Sequence, residues 1–399
     1  MSFSRLGQDR ILRQAQDERE AVGIKREWLE KELDIALRNI ACFSLDPEKT
    51  VDRNCENMIG VAQLPLGVAG PIKIKRLGCK AKEYYVPLAT TEGALVASVS
   101  RGCKAVSLSG GVSVRVQQVG TTRAPVFQVK NLAHADELIS WVKNNFEKLK
   151  SVTESTSGHI LLLEVKPFLS GRDLFLRFVY DTSEAMGMNM VTVATHKAVE
   201  LIEKEMGVVC VSLSGNMCVD KKPSWLNFIM GRGKQVWAEV VVKKDIVKTV
   251  LKTTPEKIVS VVTSKTMTGS QMSGSLGFNA HYANIVAALF IATGQDPSHI
   301  VEGSMGITSA QVEKNGDLYF SVYLPAILAG TVGGGTGLAT QKEALKILGL
   351  GKSQKGEAFE FAQVIVGTVL AGELSLIGAL AADHLARAHE KLGRGKKHE

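Results

Sequence analysis

Aromatic residues are scarce in this chain, at 6%, and no basic stripe is interleaved with them, which argues against a nucleic-acid surface. The formal charge is nonetheless +8, and a phosphate-rich small ligand fits that balance as well as a polyanion does. Part of the excess is local, because Arg387, Lys391, Arg394, Lys396 and Lys397 crowd the tail. Proline is sparse as well, at ten in 399 residues, and 45% of the residues are hydrophobic, so no extended disordered region is expected. Cysteine is present without a pattern. None of Cys42, Cys55, Cys79, Cys103, Cys210 and Cys218 forms a C-x-x-C pair or a zinc spacing with histidine, and the charged, amphipathic N-terminus is no signal peptide. Free thiols in a reducing cytoplasm are the expectation.

Long hydrophobic runs are few. Residues 282–294 are too short to cross a bilayer. Residues 364–382 are long enough but carry Glu373 in their middle, with Gly367, Gly372 and Gly378 alongside, so a buried core helix is expected and no membrane span. A chain of this length holds two or three domains.

Several segments do have a clear texture. Ile24, Trp28 and Ile35, with Leu29, Leu33 and Leu37, recur at helical spacing, so residues 1–40 read largely as helix and 1–44 as an N-terminal arm. Loops and short apolar runs follow from Asp46, including 64–72 with Pro65 and Pro71; a strand is expected at 84–88. Near Pro125 the pattern becomes strand 126–129, helix 134–149, strands 159–165 and 174–180, helix 185–205 and strand 208–213. That β-α-β-β-α-β order belongs to a small ferredoxin-like unit, inserted in a larger domain that resumes near Ser214. Helical runs at 282–293, 341–348 and 361–389 complete an α+β chain.

The usual nucleotide motifs fail. Gly351-Lys352-Ser353 ends like a P-loop but has Lys346 where a glycine is required, and residues 333–337 are not G-x-G-x-x-G. Residues 181–190 instead place Gly187 at a strand-to-helix junction, where free N–H groups suit a phosphate; the plainer reading is a capping box of Asp181 and Glu184 with core methionines. Thr91 could cap a helix, with Glu92 as a first-turn carboxylate or, in apolar surroundings, an acid. Asp220-Lys221-Lys222-Pro223 reads as a solvated charged turn. Asp296 follows an apolar helix whose dipole it would oppose unless a cation sits beside it, and His389 alone is an ordinary tail histidine.

Together these segments are more specific. Residues 56–60, 66–71, 90–93, 184–190, 220–223, 294–296 and 330–336 stand in an order and spacing that closely resembles the catalytic domain of hydroxymethylglutaryl-CoA (HMG-CoA) reductases, in the soluble form of the eukaryotic and archaeal class, over about residues 45–395. The resemblance implies reduction of HMG-CoA to mevalonate and CoA with two NADPH, in isoprenoid biosynthesis. It implies a large substrate domain (45–124 and 213–385) around a long central helix, an inserted NADP(H)-binding domain (125–212) and a catalytic tail (386–399). A homodimer or homotetramer with active sites between subunits is implied, with residues 56–60 as a dimer-forming element.

Carried over residue by residue, the catalytic set is Glu92, Lys221, Asp296 and His389. Lys221 stabilises the oxyanion, His389 protonates the departing thiolate, Glu92 supplies a proton to the aldehyde oxygen, and Asp296 couples Glu92 to Lys221. Arg123, Ser214, Asp220, Lys222 and Lys265 fall at the substrate carboxylate, with Asn284 supporting Lys265; Arg101, Lys104 and Lys252 fall near CoA. Ser157, Glu184, Ala185, Met186, Gly187, Met188, Asn189, Met190 and Arg394 fall at the cofactor.

Three departures stand out. Glu184 replaces the family's usual aspartate. Gly158 stands where an arginine for the 2′-phosphate is usual, which leaves NADH possible beside NADPH. Residues 274–279 are one glycine short, which bears on a helix beginning near Asn279. Gly395 takes the place of the regulatory serine of animal members, so no phosphorylation switch is implied. The rival readings are an NAD-linked mevalonate oxidiser, a silent CoA-binding protein and a nucleic-acid binder.

Overall fold

The computed structural model describes residues 15–76 and 80–382. Helix α1 (Glu18–Leu33) begins where the Asp17 carboxylate accepts the Glu20 N–H at 2.8 Å. It ends at Asp34, whose backbone turns left-handed (φ 52°), so the helix expected to reach residue 40 stops early and Ile35 is exposed. Strands β1 (Leu66–Arg76) and β2 (Lys82–Ala89) pair antiparallel. Residues 64–72, expected among loops and short apolar runs, instead lead into and form the first of these strands. Pro71 falls inside an irregularity between Ala69 and Ile72, where the ladder makes no demand on its missing N–H.

Helix α2 (Leu95–Leu108) leads to β3 (Val112–Arg123), a long strand that pairs with β1 at its start and with a second region of the sheet at its end. Next come β4 (Val126–Gln128), α3 (Leu132–Asn144), α4 (Phe146–Glu154), β5 (Leu161–Ser170), β6 (Asp173–Asp181), α5 (Met188–Met206) and β7 (Val209–Ser212). The single helix expected over 134–149 is two, because Asn145 leaves helical geometry and its side-chain amide donates to the Trp141 carbonyl at 2.9 Å. Leu174, Leu176, Phe178 and Tyr180 of β6 are fully buried against Leu138, Leu149, Val191 and Ala198 of the helices, and Arg177 and Val179 on the other face are buried as well.

The chain continues through α6 (Trp225–Met230), β8 (Arg232–Val242), α7 (Pro255–Val261), β9 (Gly277–Phe278), α8 (Tyr282–Thr293), β10 (Gly306–Val312), β11 (Leu318–Ile327), α9 (Ala339–Ile347) and α10 (Glu357–Ala381). Among the described residues one mixed sheet runs β7-β4-β6-β3-β8-β11-β10-β9, with β5 on β6 and with β1 linking β2 to β3. The fold is α+β. Helix α10 is 25 residues long and almost wholly buried. Its valines, leucines and isoleucines pack on β1, β3, β8 and α2, each contributing about 1.5–3 kcal/mol by burial. A methyl group on Gly102 of α2 would fall 1.8 Å from the Ala371 carbonyl oxygen, so only glycine lets these two helices meet.

By length and composition α10 could cross a membrane, but its surroundings are protein. Glu373 at its centre accepts hydrogen bonds from the Ala280 and His281 N–H groups (2.5 and 3.1 Å) and from the Thr308 hydroxyl (2.8 Å), while burial pushes its carboxyl up. Helix α8 keeps the expected bounds 282–293, and Asn279 just before it accepts the Tyr282 N–H on its Oδ1 at 3.2 Å.

Candidate active site

Asp220 and Lys221 lie on the loop between β7 and α6. Asn216, Val219 and Lys221 all have positive φ there (65°, 48° and 58°). For a β-branched residue such as Val219 this is a rare conformation, and strain of this kind persists only where surrounding bonds enforce it. Those bonds are present. Asn227 Nδ2 donates to the Val219 carbonyl at 2.9 Å, Ser224 caps α6, and the Lys221 N–H donates to Glu302 Oε1 at 2.9 Å. The turn is solvated as expected, with Lys221, Lys222 and Pro223 exposed, and its backbone is pinned by these bonds.

The Lys221 ammonium is 2.8 Å from Asp296 Oδ2. Asp296 does not oppose the dipole of α8, which closes at the left-handed Gly294 (φ 70°). Asp296 begins a new 3-10 turn (Pro297–His299), and its Oδ1 accepts the N–H and hydroxyl of Ser298 at 3.0 and 2.5 Å. Burial pushes this carboxyl up, but its hydrogen bonds with Lys221 and Ser298 outweigh it and hold Asp296 at about 2. The pair is therefore an ammonium facing a firmly ionised carboxylate.

Asp220 stands between two arginines, with Arg232 at 3.0 Å and Arg123 at 3.8 Å. Arg232 is fully buried and also bonds Glu302 at 2.5 Å and the Thr122 hydroxyl at 2.9 Å. Arg123 reaches Ser214 Oγ (3.2 Å) and Thr192 Oγ1 (2.7 Å), and exposed Lys222 turns back to the Asp220 carbonyl at 3.2 Å. The structure thus gathers Arg123, Ser214, Asp220, Lys221, Lys222 and Asp296. Sequence reasoning missed Arg232, His299 and Glu302. Asp296, His299 and Glu302 recur at three-residue intervals through a tight turn, and that spacing was the available signal. Ligand atoms of Asp220, His299 and Glu302 lie within 4.8 Å of one another, as at a metal site, but the Arg232 guanidinium already supplies the cation between two of them.

Glu92 belongs to a second pair, receiving a hydrogen bond from Asn284 Nδ2 at 2.8 Å. Asn284 was expected to support Lys265; Lys265 is exposed and makes no ion pair among the described residues. Thr91 caps no helix, since α2 starts from a left-handed Ala94, and it is Thr90 Oγ1 that accepts the Glu92 N–H at 3.0 Å. No hydrogen bond or ion pair joins Glu92 to Lys221 or Asp296 among the described residues. Arg101 spends its donors on Ser375 of α10 (3.0 and 2.7 Å), while Lys104 and Lys252 are exposed.

Helix α5 starts at Met188, later than expected, because Gly187 before it is left-handed (φ 90°), and no side chain caps it. The expected capping box is absent: Asp181 accepts the Ser183 N–H, and the Glu184 carboxylate crosses to α10, accepting the N–H groups of Gly356 (2.6 Å) and Ala358 (2.7 Å). Ala185 bridges to Val332, the Met186 carbonyl accepts the Thr121 hydroxyl, Met188 packs on Arg232, Asn189 is exposed and Met190 lines the smaller core. Lys234 lies beneath this loop, 3% exposed, and burial pushes its ammonium down to about 8 against the pull of Asp181 and Glu184. Ser157 Oγ accepts the His159 N–H at 3.2 Å beside exposed Gly158.

Residues 21–394 match the family model described as hydroxymethylglutaryl-coenzyme A reductase. The chain belongs to this family. It is 52% identical to the 3-hydroxy-3-methylglutaryl-coenzyme A reductase of Methanothermobacter thermautotrophicus, over 94% of each chain. It is 52% identical to that of Pyrococcus abyssi, over 95% of this chain and 94% of the other. Among solved structures it resembles the class II 3-hydroxy-3-methylglutaryl-CoA reductase of Streptococcus pneumoniae bound to NADPH, with a TM-score of 0.68 over 90% of this chain and 86% of that one. At 19% identity, that likeness speaks for the fold alone.

Within the family's expected set, Lys221 with Asp296 and Glu92 with Asn284 are two pairs on separate elements. Glu184, the departure from the usual aspartate, has a partner of its own in the start of α10. His389 and Arg394 lie outside the described residues.

Proposed function

We propose that this chain reduces HMG-CoA to mevalonate and CoA with NADPH. The Lys221–Asp296 pair carries the reading: an ammonium 2.8 Å from an ionised carboxylate, on a loop bent for the purpose. Thioester reduction builds negative charge on the carbonyl oxygen, and an ammonium held beside Asp296, still open to solvent, can stabilise it.

The cofactor loop suits a nicotinamide dinucleotide. The uncapped start of α5 offers free N–H groups to a phosphate, and a methyl on Gly187 would strike Thr182 at 2.4 Å, so the loop's path depends on glycine. Two NADPH, bound in turn in that loop, would supply one hydride each, the first for the thioester carbonyl carbon and the second for the aldehyde carbon. Lys221 stabilises the alkoxide of the first step, whose collapse breaks the C–S bond and releases the CoA thiolate. His389, by family resemblance, protonates that thiolate. Glu92, oriented by Asn284, provides the proton for the aldehyde oxygen, and Asp296 keeps Lys221 charged. Arg123, Ser214 and Lys222, with Asp220 orienting them, take the substrate carboxylate, and Lys265 joins them by family resemblance. By the same resemblance Arg101, Lys104 and Lys252 are assigned to CoA, and Ser157 and Arg394 to the cofactor.

In this reading residues 125–212 are a ferredoxin-like cofactor domain, supported by the strand order β7-β4-β6-β5 with helices between. They interrupt a substrate domain built around α10. By resemblance the enzyme is a cytoplasmic homodimer or homotetramer with active sites between subunits; its archaeal relatives support the eukaryotic and archaeal class.

The deciding experiment follows NADPH and NADH absorbance with HMG-CoA for wild type and Lys221→Ala. Substrate-dependent oxidation by wild type, lost by more than about a hundredfold in the variant, is expected. Well-folded wild type that consumes neither cofactor would refute the reductase reading and leave a CoA-binding protein.

A further inference from the structure

Lys221 is a member of a closed ring of four contacts. Its N–H donates to Glu302 Oε1 at 2.9 Å, and Glu302 Oε2 is 2.9 Å from His299 Nδ1. His299 Nε2 is 3.8 Å from Asp296 Oδ2, the oxygen that lies 2.8 Å from Lys221 Nζ. Backbone and ammonium of one lysine are thus gripped by two carboxylates, and an imidazole joins those carboxylates.

The ring fixes the histidine's chemistry. Glu302 accepts from Arg232 and from the Lys221 N–H, so it is a carboxylate with acceptors only, and His299 Nδ1 must carry the hydrogen between them. In the neutral imidazole Nε2 is then the free nitrogen. It is buried, has no hydrogen-bond partner, and faces an Asp296 oxygen at a distance too long for a hydrogen bond. A proton added to Nε2 converts two facing acceptors into an ion pair. The charged groups around the imidazole are Asp296 and Glu302 from its own turn, Asp220 and Lys221 from the preceding loop, and Arg232 from β8.

We propose that His299 and Glu302 are positioning residues of the reductase, holding Lys221 in its left-handed backbone and setting how firmly Asp296 grips its ammonium. With Nε2 bare, Lys221 alone holds Asp296 Oδ2. With Nε2 protonated, the imidazolium competes for that oxygen, the 3.8 Å gap closes, and Lys221 loses the partner that aims it. Turnover therefore falls on acidification, opposite in direction to the loss at high pH expected from His389 as proton donor. The proposal rests on Lys221 and Asp296 being catalytic as read above.

The test is kcat and KM for HMG-CoA, with saturating NADPH, from about pH 5.5 to about pH 9 on the full chain. His299→Gln keeps an N–H for Glu302 but cannot titrate at Nε2; it should keep kcat within about threefold at neutral pH and lose the acid limb that wild type shows. His299→Phe and Glu302→Leu should lose kcat by about tenfold or more, with KM within about twofold. If either apolar variant fails to fold by circular dichroism, His299→Gln alone decides. An acid limb that persists in His299→Gln, or is missing from wild type, overturns the proposal. Lys221→Ala separates the two levels: if it stays active, the site reading itself falls, whereas an inactive Lys221→Ala beside an unaltered His299→Gln profile removes only the role of His299.

Discussion

Lys234 makes the sharpest energetic prediction. The side chain lies on β8, 3% exposed, with its ammonium 3.4 Å from the Ala329 carbonyl and 5.8 Å from the centre of the Phe359 ring. Burial pushes it from the ordinary 10.5 down to about 8, only partly resisted by Asp181 and Glu184. In the unfolded chain the amine keeps its proton up to its ordinary value; in the native protein it gives it up above about 8. Between those values the unfolded state binds more protons, so stability rises with pH across that window. Below it both states are charged, and the native state bears the whole cost of a desolvated ammonium. The gap from 10.5 to about 8, at about 1.4 kcal/mol per pH unit, makes that cost roughly 3 kcal/mol.

Lys234→Met removes the charge and keeps a stem of similar length. The long contact to Ala329 is worth little, and the ring contact about 0.5–2 kcal/mol. The variant is therefore expected to be more stable than wild type by about 2 kcal/mol at pH 7, with the difference shrinking toward zero near pH 10. Urea unfolding at neutral and alkaline pH measures both numbers. A variant less stable than wild type at pH 7, or a difference independent of pH, would show that desolvation is not what moves this lysine. The ammonium sits under the loop proposed to hold the cofactor phosphates, so the stabilised protein should also show a higher KM for NADPH.

Two shorter predictions address that loop. Glu184→Ala removes two charge-assisted bonds from the start of α10 and should cost about 1–2 kcal/mol, read as a lower urea midpoint, with a raised KM for NADPH. Gly158→Arg should raise the NADPH-to-NADH ratio of kcat/KM by about tenfold or more: a side chain built at Gly158 meets nothing within 4 Å, and a guanidinium pairs with the 2′-phosphate. Unchanged cofactor preference in a folded Gly158→Arg would place the 2′-phosphate elsewhere.

Pattern served best where an apolar run is buried. Helix α8 is found at its expected bounds because Ile285, Val286, Leu289 and Phe290 form a continuous apolar surface. Strand β6 is found where its apolar run predicts, with Leu174, Leu176, Phe178 and Tyr180 facing the helices and its middle buried on both faces. Where one residue's local bond decides, the pattern misleads: Asn145 divides an unbroken amphipathic run, and Asp34 and Gly187 set helix ends by left-handed backbone. The site divides the same way. Lys221 and Asp296 were found through motif resemblance, and their contact is a long-range fact no local pattern encodes. Arg232, His299 and Glu302 escaped notice because a lone buried charge looks in sequence like any surface charge until its partners are known.

Glu184 shows why the substitution of one acid for another need not weaken the site. Read locally, its carboxylate belongs to the helix it precedes, as half of a capping box. In the fold it serves a helix 172 residues further along the chain, where it satisfies two N–H groups at the positive end of α10. The left-handed Gly356 brings no side chain of its own to that end, so the cap has to come from outside. The same helix offers Ser375 to Arg101 and Glu373 to the start of α8, the helix that carries Asn284 and leads to Asp296. One buried element therefore registers the proposed cofactor loop, CoA contact and acid–base pairs against each other. A perturbation at Glu184 should reach beyond cofactor affinity to turnover itself, whereas a residue that merely touched the cofactor would leave turnover at saturation unchanged.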